Sequence, residues 1–299
     1  MPSTFFTASP EWRWFIVAYF FLGGLTGGSY FLATLMNWFG TEQDRPVVRL
    51  GYLIAFPVVC VCGLVLTVDL GRPERFWHML VQSHTLRPML KTFSPMSSGA
   101  WVLLLFSACA FVSFAATLAE WGAERGWPDR AILRVGSPAA PFGRLVGGLG
   151  AILGLYLAGY TGVLLSVTNR PIWADTTLLG LTFLTSAGST SAALLILLGA
   201  WSGLSRDRLY RLERFDRSAL ILEALAIAAL VASLGRIATV WLNGWGVLLA
   251  VTVLGGIALP LLLDWGRRAE NRPAWIAPGL VLIGGLVLRT VIVLSSDRL

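Results

Sequence analysis

Eight stretches of this chain are apolar and poor in charge over lengths that can cross a bilayer, and nothing else in it constrains the fold as strongly. They run roughly over Trp14–Phe39, Val47–Val68, Ser98–Trp121, Arg144–Val167, Thr176–Trp201, Ser218–Leu242, Trp245–Trp265 and Ala274–Leu294. About twenty apolar residues span the hydrocarbon as a helix. Hydrocarbon offers no water to unpaired N–H and C=O groups, so each crossing must satisfy its own backbone. The runs are continuous rather than alternating, which is a helix signal. The expected fold is therefore all-α, a polytopic membrane protein read as one integral domain over residues 1–299. Composition agrees: 56% of residues are hydrophobic and 13% charged, where soluble domains carry about 25% charged. The 32 glycines suit close helix packing and the 13 tryptophans suit interfacial anchoring. A net charge of +7 without any aromatic and basic surface domain is an orientation signal, not a nucleic-acid signal.

Loop charges set that orientation. The connections after the first, third, fifth and seventh stretches hold Arg45 and Arg49; Arg125, Arg130, Arg134 and Arg144; Arg206, Arg208, Arg211, Arg214 and Arg217; and Arg267, Arg268 and Arg272, 14 in all. The other side holds Arg13, Arg72, Arg75, Arg87, Lys91, Arg170 and Arg298, which is 7. The richer side is expected in the cytoplasm, with both termini outside. The first stretch is too long for a cleaved signal core and reads as a membrane helix. The cluster SRDRLYRLERFDR reads as an orientation signal touching lipid headgroups, or as a docking site for a cytoplasmic partner. Gly122–Gly143 reads as a cytoplasmic connection between two halves of the bundle.

The polar residues are few enough to weigh singly. The segment Asp69–Ser97 lies outside in this topology and holds both histidines and the only lysine. His78 and His84 sit in that loop, whereas a membrane haem needs axial histidines within helices, so no haem is expected. Cys60, Cys62 and Cys109 read as small apolar helix residues, and no metal site is expected. Ionisable residues within a membrane are costly and informative. Glu223 reads as half of a proton path or as a partner of Arg214 or Arg217. Arg236 and Arg289 read as snorkelling anchors near the outer ends of their helices, or otherwise as partners of a carboxylate or the lining of a polar cavity. Glu120 and Asp175 are the other carboxylates considered for a proton path. Tyr160 lies about seven residues, roughly 10 Å, below the outer end of its helix, beneath the headgroup belt. Its hydroxyl needs a partner there, either a neighbouring helix or the carbonyl of a bound flat ring. Tyr19 lies at a similar depth, followed by Gly23-Gly24 and Gly27-Gly28, which make a packing face or clear space for a ring.

Five stretches in order, YFFLGGLTGGSYFLA, DLGRPERFWHML, SPMSSGAW, GYTGVLLSVTNRPIW and LIGGLVLRTVIVLSS, resemble the NrfD/PsrC family. These are membrane subunits of polysulfide reductase and related molybdopterin and iron–sulfur oxidoreductases. The resemblance implies two packed four-helix bundles and a quinone such as menaquinone, bound without covalent attachment near the outer surface. It further implies a four-iron ferredoxin-like partner docked there, joined to a molybdopterin or other catalytic subunit that handles the terminal substrate. Family members use a tyrosine on the fourth helix and an acidic residue closing the second, which match Tyr160 and Asp69. Some members carry a histidine where this chain has Tyr19. Asn169, Arg170 and Arg75 match polar positions at the mouth of the site. Arg72, Arg75, His78, His84, Arg87 and Lys91 are then the expected landing surface, in a bacterial or archaeal cytoplasmic membrane. The rivals are a secondary transporter, against which stands the lack of an evident internal repeat, and a structural anchor without an active quinone site.

Overall fold

A computed structural model describes residues 14–91, 93–127, 133, 135–265 and 275–298. Among the described residues all eight apolar stretches are helical and no strand forms. The helices are α1 (Trp14–Phe39), α2 (Arg45–Asp69), α3 (Pro95–Ala123), α4 (Pro141–Ser166), α5 (Leu179–Trp201), α6 (Arg206–Leu234), α7 (Gly244–Leu263) and α8 (Ile276–Leu294). Proline occupies the first turn of α2, α3 and α4, where its missing N–H would have had no helical partner. Ser94 caps α3, its hydroxyl accepting from the Ser97 amide.

α1 is central. It packs on α2 and α4 and also on α5 and α8. α3 closes against α2 and α4, while α5 packs on α6 and α8, and α7 on α8. Glycine makes the α1–α4 crossing close: a Cβ on Gly154 would stand 2.8 Å from the Gly27 carbonyl oxygen. In lipid, where no hydrophobic force drives helices together, such backbone approach supplies the dispersion contact that does.

One expectation changes. α6 begins at Arg206, so the basic cluster is its first turns rather than a loop. Leu209, Leu212 and Asp216 are buried at helical spacing while Arg206, Arg208 and Arg214 stay exposed, which makes these turns amphipathic. Gly122–Gly143 connects α3 to α4, and these two helices pack on each other. Arg13, Arg130, Arg134, Arg267, Arg268 and Arg272, counted for orientation, lie outside the described residues, as does Ala274.

The end of the molecule where α2 finishes and α3 starts is called the Asp69 end, and the opposite one the Arg49 end. At the Asp69 end, Trp173 donates its indole N–H to the Ile292 carbonyl at 2.8 Å, tying the α4–α5 connection to α8. Residues 70–91, which follow α2, are folded. A tight turn over Pro73–Met79 leads into a hairpin in which Gln82 N–H donates to the Arg87 carbonyl at 2.9 Å and Met89 N–H to the Leu80 carbonyl at 2.8 Å. The Met89 carbonyl accepts from the Trp101 indole at 3.0 Å and from the Ser97 hydroxyl at 3.1 Å, which straps the hairpin to α3.

Candidate functional site

Tyr19 of α1 and Tyr160 of α4, 141 positions apart, share a hydrogen bond of 2.5 Å between their hydroxyls. Tyr19 is 1% exposed and Tyr160 7%. Each gives the other the partner that a buried phenol requires. Their neighbours are small: Gly99 of α3 abuts the Tyr160 ring, and a Cβ on Gly23 would only touch Tyr19 Cε2, at 3.9 Å. One turn before Tyr160, Tyr156 lies parallel to it, with ring centroids 5.9 Å apart and planes 8° from parallel. Its hydroxyl shares a hydrogen bond of 2.9 Å with the Ser98 hydroxyl. A cavity of about 340 Å³ opens beside these rings, lined by Ser98, Tyr156, Gly159 and Tyr160. Ligand pockets start near 300 Å³, so a single substituted ring fits the volume, and its carbonyl would meet phenol hydroxyls on one wall.

The other residues singled out from the sequence are not all brought to this pair. Asp69 is the last residue of α2 and is exposed. Among the described residues no hydrogen bond joins it to either tyrosine. Asn169 is exposed, whereas Arg170 is buried with its guanidinium 5.5 Å over the Trp173 ring. Asp175 accepts from the Ile172 amide at 2.9 Å and closes a turn in which Ile172 has a φ of 71°. That puts Asp175 at the Asp69 end, away from the side on which an inner proton path would begin. Arg72, Arg75, His84, Arg87 and Lys91 are exposed around the hairpin, and His78 is half-buried with its ring centroid 3.9 Å from that of Trp77.

A second buried polar centre lies between α1, α5, α6 and α8. Arg289 is 0% exposed and so is not a snorkelling anchor. It donates to the carbonyls of Phe20 at 3.2 Å, Gly285 at 2.9 Å and Phe183 at 3.4 Å, and to the Ser186 hydroxyl at 3.0 Å. One turn along α5, Ser189 donates to Glu223 Oε2 at 2.5 Å. Glu223 is 2% exposed and faces this serine rather than Arg214 or Arg217. Arg236 is exposed, as a snorkelling residue would be.

Below the tyrosine pair, Thr26, Tyr30, Thr34 and Asn37 continue its face of α1 at helical spacing. Tyr30 shares a 2.7 Å hydrogen bond with Ser113, Thr34 one of 3.1 Å with Tyr52, and Asn37 donates to the Pro138 carbonyl at 2.9 Å. The stripe ends at a cavity of about 440 Å³ at the Arg49 end, lined by Asn37, Arg49, Thr117, Glu120 and Glu124 among others. Ser137 donates to Glu120, and Arg49 binds Glu124 through two guanidinium nitrogens. Those hydrogen bonds hold the Glu124 carboxyl below its usual range. The buried Thr117 hydroxyl in the cavity wall has no hydrogen-bond partner among the described residues. Of the three carboxylates considered for a proton path, Glu120 alone lines this cavity.

Sequence reasoning missed Tyr156, Ser98 and Gly99 at the site. One signal was present: Tyr156 precedes Tyr160 by four positions and so shares its helix face.

Comparison with known proteins covers almost the whole chain. The family described as "Polysulphide reductase, NrfD" matches residues 3–297. One of the chains of polysulfide reductase from Wolinella succinogenes is 25% identical over 311 residues, spanning 96% of this chain and 94% of the relative. Protein NrfD of Escherichia coli is 28% identical over 323 residues, spanning 99% and 98%. One of the subunits of selenate reductase from Mesobacillus selenatarsenatis is 37% identical over 75 residues, 25% of this chain and 18% of the relative.

Proposed function

This chain belongs to the polysulphide reductase NrfD family, and from that premise we propose that it is the quinone-binding membrane subunit of a respiratory oxidoreductase complex. In this reading it exchanges electrons between membrane quinone and a four-iron ferredoxin-like subunit, with terminal catalysis in a molybdopterin or other partner. Relatives named as single members of multi-subunit reductases support the existence of such partners. The helix neighbours support an arrangement of α1–α4 and α5–α8 as two four-helix bundles. The bias of 14 basic residues against 7 supports placing the Asp69 end outside a cytoplasmic membrane, and the bacterial relatives support a bacterial or archaeal one.

The observation that carries the reading is Tyr160, on the wall of a cavity of about 340 Å³, with its hydroxyl bonded to that of Tyr19 behind it. A quinol gives up two electrons and two protons on oxidation, and the reverse reaction takes them back. Tyr160 holds a ring oxygen by its hydroxyl, which its bond to Tyr19 orients, and relays a proton by taking one from the ring oxygen as it gives its own up toward the Asp69 end, so the phenol stays neutral. Asp69, exposed at the end of α2, takes the proton onward as a general base. The exposed Arg72, Arg75, Arg87 and Lys91, with His78 and His84, receive the partner to which the electrons pass.

The test is quinol-dependent turnover of the complex purified through a tag on this protein. Tyr160→Phe and Asp69→Asn should each lower kcat by about a hundredfold, the low end for a positioned proton-transfer group, with every partner retained. Full turnover in both variants would leave a structural anchor as the reading. A protein that purifies without iron–sulfur partners would favour a transporter.

A further inference from the structure

We propose that the cavity beside Tyr160 is a lateral portal between α3 and α4, through which an isoprenoid-tailed ring passes directly from the bilayer, and that Tyr156 with Ser98 forms its positioning wall. The inference rests on the quinone reading above and adds the route and two residues to it.

The lipid-facing side of α4 is marked by Leu145, Leu149, Ile152, Tyr156 and Val163, all exposed and recurring at helical spacing. Tyr156, 45% exposed, is the one hydroxyl on this stripe. It lies roughly 15 Å of helix before Ser166, and its hydroxyl lies level with the first turn of α3. A phenol facing hydrocarbon needs its hydroxyl satisfied, and Ser98 across the α3–α4 seam does this at 2.9 Å. The same two residues, with Val163 and the exposed Phe93, line the cavity that reaches Tyr160. The cavity therefore opens on the lipid-facing stripe, and its inner limit is the buried Tyr160.

Two features suit this opening to a flat ring on an apolar tail. Tyr156 and Tyr160 present rings only 8° from parallel, one exposed and one buried, so the wall is continuous from lipid to site. An opening in the side of the bundle also lets an isoprenoid tail stay in hydrocarbon, whereas access from the aqueous end would strip it from lipid. Tyr156 acts on ring binding and not on proton transfer. Its hydroxyl is used by Ser98, and its effect belongs in KM and Kd rather than kcat.

The complex in lipid nanodiscs tests this with an alkyl-hydroxyquinoline N-oxide, a fluorescent quinol mimic whose emission is quenched on binding, alongside steady-state quinol oxidation. Ser98→Phe places a ring in the portal and should raise Kd and KM by about tenfold or more, and Tyr156→Leu by about fivefold, the size of one aromatic contact. In both, kcat should change by less than about twofold. Ile152→Trp, on the same stripe but outside the cavity, should bind as the unmodified protein does. Unchanged Kd in both Ser98→Phe and Tyr156→Leu would overturn the portal while leaving the quinone site standing. Since Tyr156 faces lipid, Tyr156→Leu remains decisive should Ser98→Phe fail to assemble. Absence of quenching in the unmodified complex, with full turnover in Tyr160→Phe, would overturn the quinone reading and the portal with it.

Discussion

Two polar centres are buried in this helical bundle, and they are built on opposite plans. The Tyr19–Tyr160 pair is formally neutral, spends one hydrogen bond internally and borders a cavity through Tyr160. Arg289 is a cation in the same apolar medium. It reaches three carbonyls and a serine hydroxyl across α1, α5 and α8, with no exposed surface. A neutral hydroxyl can be opened to a visiting molecule at modest cost, because each phenol survives with one partner. A buried guanidinium cannot, because its desolvation is offset only while every contact holds. The contrast separates a centre suited to exchange from one suited to holding helices in place. The two touch: the Phe20 carbonyl that Arg289 grips follows Tyr19 in the sequence.

The largest effect should come from breaking the sealed centre. Arg289→Leu removes the donor that joins Ser186 and the Phe20, Phe183 and Gly285 carbonyls, a loss of about 3 kcal/mol or more, since hydrogen bonds to a charged group contribute about 1.5–3 kcal/mol each. The expected outcome is failed assembly or a strongly lowered thermal midpoint, read by size exclusion and tryptophan fluorescence. A stable Arg289→Leu protein would collapse the distinction between the two centres. A smaller effect is expected at the open centre. In Gly99→Ala a Cβ would stand 2.8 Å from the Tyr160 hydroxyl oxygen. The ring must shift, and turnover should fall by roughly tenfold to a hundredfold while the fold is kept. The smallest effect calibrates what an ion pair is worth in contact with water. The Glu124 carboxyl is depressed by Arg49, so this pair stabilises above the ordinary glutamate value of about 4.3 and is lost as pH falls through the depressed value. The thermal-midpoint difference between the unmodified protein and Glu124→Gln should be small at about pH 7 and vanish towards about pH 3. A difference that grew on acidification would reverse the sign assigned to the pair.

Legibility followed the physics of each feature. The helices were readable because a crossing segment must be continuously apolar, a requirement written into consecutive residues. The start of α6 was not, because charge suggested a loop where Leu209, Leu212 and Asp216 in fact bury one face of a helix. Tyr160 was readable from its depth, but its bond to Tyr19 depends on the α1–α4 crossing set by Gly27 and Gly154, which a linear sequence does not display. Arg289 misled for a related reason. Closeness to a helix end suggests a side chain reaching for water, yet the face it occupies turns inward toward Ser186 and Phe20. Position along a helix was readable, whereas position around it was not.

The strap at Met89 carries a consequence of its own. Its carbonyl binds Ser97 and Trp101 in the opening turns of α3, and those turns also lend Pro95 and Ser98 to the cavity. The basic hairpin and the rim of the portal are thus parts of one body. Anything that seats on the hairpin and shifts that rim alters the affinity for the ring within, and by thermodynamic reciprocity an occupied cavity alters the affinity of the seat by the same factor.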